Sequence, residues 1–198
     1  MTGYAYDFVY EGFVNGDYTS SLTAMPAVTI ENYKTDVGTY NLVASGAQAA
    51  NYEISYTNGT LTIAQAVLTI TISDTAKVYG QPNPDFSYVV KDSKGNDCLA
   101  ELSVLPTIAT IATAASGVGV YDITATGAQS QNYSISVIDG HLTIRKAPLK
   151  ITPKDMMMGY GTDVKTLIPE FWFEGFVNGD TASCLAAQPV IAVAQAIT

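Results

Sequence analysis

Any chemistry in this chain has to start from very few residues. His141 is the single histidine in 198 residues. Acid–base or nucleophilic catalysis through it would need an orienting carboxylate and a hydroxyl or thiol within hydrogen-bond reach. It follows Asp139-Gly140 and opens an alternating stretch, in the slot that Thr60 fills in a similar stretch upstream, so it reads as a solvated strand residue. Asp17, Asp97 and Asp180 are carboxylates that recur in one context. A hard cation wants about six to eight converging oxygens, whereas each of these stands nearly alone and suits the start of a short helical turn. Met156-Met157-Met158 offers soft ligands but occupies the place of Thr75, Ala76 and Lys77 in an equivalent segment, and reads as strand or loop filler. Cys98 and Cys184 fall in non-equivalent slots, which argues for incidental thiols rather than a disulfide. No CxxC, HExxH, phosphate-loop or nucleophile-elbow pattern is present. Trp172 remains: an outward indole beside Glu174 could stack on a sugar ring or anchor a protein contact. The expectation is a chain with no catalytic residue, no metal and no cofactor, hence not an enzyme, with Trp172 as its candidate ligand contact.

These residues sit in a sequence that repeats. EGFVNGD occupies residues 11–17 and again 174–180. Residues 37–70 overlay residues 118–151 without a gap, and Asn51 falls on Asn132, a period of 132 − 51 = 81 residues. The matched positions include Gly38/Gly119, Tyr40/Tyr121, Tyr52/Tyr133 and Gly59/Gly140, and Tyr79-Gly80 recurs as Tyr160-Gly161. A third block appears three times with constant internal spacing: Asp17, Leu22, Pro26; Asp97, Leu102, Pro106; Asp180, Leu185, Pro189. A unit of this size is a domain rather than one turn of a solenoid. Residues 1–65 read as the C-terminal part of one repeat, 66–146 as a complete repeat and 147–198 as the N-terminal part of a third. The chain is therefore expected to be a piece of a longer array.

Each repeat must be built largely of strands. VLTITIS (67–73) alternates and is rich in β-branched residues. The two prolines of QPNP (81–84) remove ladder donors and force a loop. The pairs Phe8/Tyr10, Phe86/Tyr88 and Phe171/Phe173 put aromatics on one sheet face, with Val9, Ser87 or Trp172 facing out between them. In EGFVNGD the Asn-Gly pair permits positive φ and turns the chain, the Asp suits a helix N-cap, and Pro26 or Pro189 stops the short helical turn. Alternating stretches around Asn58-Gly59 and Asp139-Gly140 carry the usual signal for a β-hairpin. The expected fold is all-β with one short helical turn per unit, arranged as tandem β-sandwich-like modules or, alternatively, as a β-grasp-like curled sheet. About three residues link successive units, a span of at most about 10 Å, so a stiff rod is expected rather than loosely tethered beads.

Composition agrees with strands and narrows the partners. The chain is 47% hydrophobic and only 14% charged, with 18 acidic and 9 basic side chains and a net charge of −9. No basic stripe exists to neutralise phosphates, so nucleic acid is not an expected partner, and anionic membranes are disfavoured for the same reason. No apolar run approaches the length that spans a bilayer as a helix.

Taken with APLKIT, NPDF, GFVNGDTAS, VGTY, GAxxxNYEI and GTLTI, the sequence resembles the MBG family, the mostly-β glycine-rich repeats of bacterial surface and secreted proteins. The resemblance implies tandem modules in large extracellular, adhesin-like proteins at the bacterial cell surface. It carries no catalytic residue with it. The expected partners are neighbouring repeats and, through Trp172 and nearby aromatics, a glycan or host surface protein. The partial units at either end are further expected to leave strand edges open to exchange with another copy of the chain.

Overall fold

The structure, a computed structural model, describes residues 7–164 and 167–192. Regular structure among them is β-strand with three-residue 3-10 turns at Thr19–Ser21, Leu99–Glu101 and Ala182–Cys184. The chain divides into two compact units, one of residues 1–67 with 130–134 and one of residues 68–129 with 135–198.

The first repeat contributes β1 (Leu22–Ala24), β2 (Ala27–Ile30), β3 (Gly38–Ser45), β4 (Gln48–Ala49) and β5 (Gly59–Ile63). Strands β2, β3 and β5 form an antiparallel sheet with β3 in the middle, and β1 pairs with β4. Residues 130–134 complete this unit: Asn132 accepts from the Val37 amide at 3.0 Å and donates to Asp36 at 3.1 Å.

The middle repeat supplies β6 (Ala66–Ile72), β7 (Thr75–Val78), β8 (Tyr88–Asp92), β9 (Thr107–Thr110), β10 (Gly119–Thr126), β11 (Tyr133–Ile138) and β12 (Gly140–Arg145). They make two sheets. One runs β7-β12-β10-β9, with β7 parallel to β12 and the other pairs antiparallel. The second runs β11-β6-β8, with β6 in the centre. The alternation of AVLTITI becomes burial: Leu68, Ile70 and Ile72 are inside. Ile72 joins Ala112, Ile123, Leu142 and Ile144 in one core, flanked by Tyr79, Phe86, Tyr88 and Tyr121. Burying each aliphatic side chain of this kind contributes about 1.5–3 kcal/mol. The two sheets thus share a core in the manner of a sandwich, as all-β patterning anticipates.

The third repeat contributes β13 (Lys150–Pro153) and β14 (Phe171–Glu174), an antiparallel pair in which Ile151 faces Phe173 and Thr152 faces Trp172. Residues 155–159, which contain the methionine triplet, form no strand although the equivalent Thr75–Val78 is β7. In the middle repeat that strand pairs with β12, and among the described residues no strand pairs with 155–159.

Three local expectations differ from the structure. Asp139-Gly140 is not a hairpin turn, because β11 and β12 lie in different sheets. The glycine there lets the chain pass close to β6: a Cβ on Gly140 would sit 2.9 Å from the Ile72 carbonyl oxygen and 3.0 Å from that of Ser73. The aromatic alignment shifts by two residues, since Ile72 pairs with Tyr88 just as Pro153 pairs with Phe171, leaving Val90 opposite Ile70 where Phe173 lies opposite Ile151. The out-facing middle slot is then Val9, Val89 or Trp172, all exposed. Finally, Asp17 and Asp180 precede the N-cap by one residue, which Tyr18 and Thr181 occupy. Asp97 likewise stands one residue before its N-cap, Cys98, although it accepts from the Leu99 amide at 3.2 Å.

Candidate functional site

The duplicated EGFVNGD is a built turn. Asn15 and Gly16 have φ of 55° and 81°, Asn178 and Gly179 have 56° and 81°. Each turn closes with a hydrogen bond from the Asp amide to the valine carbonyl at 3.0 Å, Asp17 to Val14 and Asp180 to Val177. Asn and Gly are the residues that tolerate this left-handed backbone. The middle repeat reaches the same end differently: Asp92 accepts from the Lys94 and Asn96 amides and from the Asn96 side chain, and Gly95 takes the positive φ. The Asn96 hydrogen bonds hold the Asp92 carboxyl below the usual aspartate range.

Both copies of the turn are clasped by something. In the first repeat Tyr52 packs edge-on against Phe13 at 5.4 Å, accepts from the Val14 amide at 3.2 Å and donates to Asp17 at 2.6 Å. That hydrogen bond to the Asp17 carboxylate holds the phenol proton and raises the Tyr52 pKa above the ordinary tyrosine value, with the Val14 backbone opposing. A raised pKa gives a contribution that is complete below the ordinary tyrosine pKa and lost as pH climbs through the raised one. Tyr52→Phe is therefore expected to speed hydrogen exchange at the Val14 amide at neutral pH, and the wild-type chain to show the same acceleration only at strongly alkaline pH.

In the third repeat the turn leans on the middle one. A Cβ on Gly80 would lie 2.6 Å from a methyl of Val177, and Asn178 donates its side-chain amide to the Ala114 carbonyl at 3.1 Å. Gly80, in the repeated Tyr-Gly pair, has φ 87° and a bare Cα on which the valine rests. In the third repeat the motif is both a turn and a contact with the preceding repeat.

A groove of about 800 Å³ runs along the first repeat between residues 7–12 and 52–57, walled by Leu22, Val28, Leu42, Ala44 and Ile54. Neither flanking segment forms a strand.

Trp172 is where the sequence analysis put it, in the out-facing slot of β14 with 65% of its surface exposed. Lys154 lies 4.3 Å from the ring centroid and pairs with Glu170 at 2.7 Å. Such an exposed cation–π contact is worth about 0.5–1 kcal/mol. The Lys154 hydrogen bond holds the Glu170 carboxyl below its usual value. Glu174 pairs with Lys150 at 3.7 Å.

The remaining chemically capable residues do not converge. His141 is half exposed, with Asp74 at 3.2 Å and Asp122 at 3.7 Å from its two ring nitrogens. These are surface pairs worth little. Cys98 and Cys184 are free thiols, and Met157 is almost fully exposed. Among the described residues no group of three or more His, Cys, Asp or Glu side chains is spaced to hold a metal ion, and no helix is long and apolar enough to cross a membrane. One residue that sequence reasoning missed is Lys77, buried with its ammonium donating to the Gln81 and Thr113 carbonyls at 3.0 and 2.6 Å. It ties the end of β7 to a loop far along the chain.

A family model described as MBG domain (YGX type) matches residues 2–62 and 68–143. No curated protein and no solved structure matches the chain.

Proposed function

The chain belongs to the family of MBG domains of the YGX type, repeated in tandem, and from that premise we propose that it is a non-catalytic spacer segment of an extracellular bacterial surface protein that supports adhesion. The observation that carries this reading is the role of the residues the repeats share. Gly140 makes room for a central strand, Gly80 receives a neighbour's valine, Asn178-Gly179 turns the chain, and the inward aliphatic residues fill a core. Each has a structural task, whereas His141, the cysteines and the methionine triplet, which could do chemistry, differ from one repeat to the next. A spacer needs units that stack through short linkers and repeated contacts. The test is small-angle scattering on one, two and three concatenated copies of the chain, in which the maximum dimension is expected to rise linearly with copy number. A maximum dimension that stays nearly constant sinks the reading. Cell fractionation with external protease, which should remove the protein from intact cells, tests its placement.

A second reading, a glycan- or host-protein-binding module, is favoured by the exposed Trp172 with Glu170 and Glu174 beside it. On a glycan array Trp172→Ala is expected to lose at least tenfold in signal for any sugar the wild-type chain retains. Its melting temperature should stay within about 4 °C, since surface substitutions usually fall within about 0.5 kcal/mol. An array on which the wild-type chain binds nothing discards this reading for sugars.

A further inference from the structure

We infer that the loop between β9 and β10 is the surface on which the middle repeat receives the turn of the repeat that follows, and that Lys77 is the positioning residue that holds this surface in shape.

The surface has two rims. One is Gly80, whose bare Cα lies under Val177; the other is the Ala114 carbonyl, which accepts from the Asn178 side chain at 3.1 Å. Gly80 and Ala114 are far apart in the chain, so their spacing has to be set by a group that touches both segments. Lys77 is that group. Its ammonium donates to the Gln81 carbonyl at 3.0 Å, one residue after the first rim, and to the Thr113 carbonyl at 2.6 Å, one residue before the second. A charged donor makes shorter and stronger hydrogen bonds than a neutral one, which suits a tie between two segments. Asn83 adds another, donating to the Ala112 carbonyl at 2.7 Å, and Ala112 itself is packed in the core. Three consecutive carbonyls, of Ala112, Thr113 and Ala114, thus take three side-chain donors. The first two donors belong to the middle repeat and fix the loop; the third, Asn178, comes from the repeat that docks on it. A surface whose parts are already held loses little freedom when its partner arrives.

The rims also specify the occupant. An acceptor beside a Cα with no room for a Cβ suits a branched aliphatic side chain next to an amide donor. Val177-Asn178 presents both from a tight turn in which Asn178 has φ 56°. Three and two residues before Asp97, where Val177 and Asn178 stand before Asp180, the middle repeat carries Lys94-Gly95, which has neither group.

A second junction uses the same loop. Residues 37 and 118 are equivalent, so the β2–β3 loop of the first repeat corresponds to the β9–β10 loop. There Asn132, from the following repeat, accepts from the Val37 amide at 3.0 Å and donates to Asp36 at 3.1 Å. Twice, then, the loop before the long strand of one repeat is reached by an asparagine of the next. This deepens the spacer reading, on which it rests for its purpose, because stacked units need a fixed receiving face.

Residual dipolar couplings on the whole chain supply the test. In the wild type, β10 and β12 of the middle repeat should fit one alignment tensor together with β14 and the 177–180 turn. Asn178→Asp keeps a turn-forming pair, Asp-Gly, but replaces the donor with an acceptor facing the Ala114 carbonyl. It should release the third repeat from the shared tensor and leave the couplings of β10 and β12 as they were. Lys77→Met, which installs the residue found at the equivalent position 158, should release it from the other side. Coupling between two sites is reciprocal, so Asn178→Asp should also speed proton exchange of the Lys77 ammonium by about fivefold. That measurement leaves Lys77 unaltered and decides the matter if Lys77→Met fails to fold, since a lysine serving only its own repeat would not respond to a change in the next. Separate tensors in the wild type, or a shared tensor that survives Asn178→Asp, overturn the receiving surface. A shared tensor in a folded Lys77→Met chain, or Lys77 exchange indifferent to Asn178→Asp, overturns the role of Lys77. Concatemers held by their linkers alone would still lengthen with copy number, so failure here leaves the spacer reading standing.

Discussion

Ile123→Ala is expected to destabilise the middle repeat by about 2–5 kcal/mol, most of its stability. Ile123 has 0% of its surface exposed and sits in β10 between Thr110 of β9 and Gly140 of β12, facing Ile72 and Leu142. Trimming it to alanine removes three carbons from a site walled by two sheets. A cavity enclosed on all sides cannot collapse, so the lost transfer energy and the lost packing add. The internal control is Leu42, the same slot in the first repeat, where it pairs with Gly59 as Ile123 pairs with Gly140. Leu42 is half exposed on the groove, and Leu42→Ala should cost well under half as much. Urea unfolding monitored by hydrogen exchange of the β10 and β3 amides separates the two repeats, which need not melt together.

Gly140→Ala should be nearly as damaging despite adding a single methyl. The new carbon would press on the Ile72 and Ser73 carbonyl oxygens, at 2.9 and 3.0 Å, and on the Ile72 side chain at 3.0 Å. Carbonyls of a central strand bonded on both edges cannot swing away, so either β6 shifts against β8 or β12 shifts against β10. Overpacking of this kind costs about 1–3 kcal/mol, occasionally more. Gly59→Ala in the first repeat places its methyl in ordinary contact with Leu42 at 3.5 Å and should be neutral or mildly stabilising, because alanine outperforms glycine in a strand interior. Thermal melts of the two variants, side by side, measure the difference. Equal losses at both positions would mean that the glycines serve their own strands and not the passage of a neighbour.

What could be read from sequence was what depends on near neighbours. Alternation in AVLTITI marked β6 and its buried residues, and Asn-Gly marked the left-handed turn at 15–16 and 178–179, because periodicity and φ preference are local properties. The 81-residue period gave the equivalence of the repeats. What failed was what depends on distant partners. Asp139-Gly140 between two alternating stretches looks the same whether the chain folds back on its own strand or crosses to another sheet, and only the position of β6 decides. Lys77 reads as an exposed strand residue in TAKV, yet it is held inside by a carbonyl 36 residues away. The seating of Val177 on Gly80 joins two repeats, a contact that duplication of the motif hinted at without naming its partner. Trp172 was placed on the outer face correctly, for the middle residue of an i, i+2 inward pair must point away. The cation over its ring comes from β13's far end, which no spacing argument reaches.

The account turns on β6 as the strand that closes a repeat. Hydrogen exchange on the chain tests this most directly by comparing residues 133–138 with their counterparts 52–57. The expected result is slow exchange along β11 of the middle repeat and rates near those of an unstructured peptide along 52–57, a difference of several orders of magnitude from one sequence pattern in two settings. Equal protection of the two segments would contradict it, since pairing with β6 would then make no difference to the strand beside it.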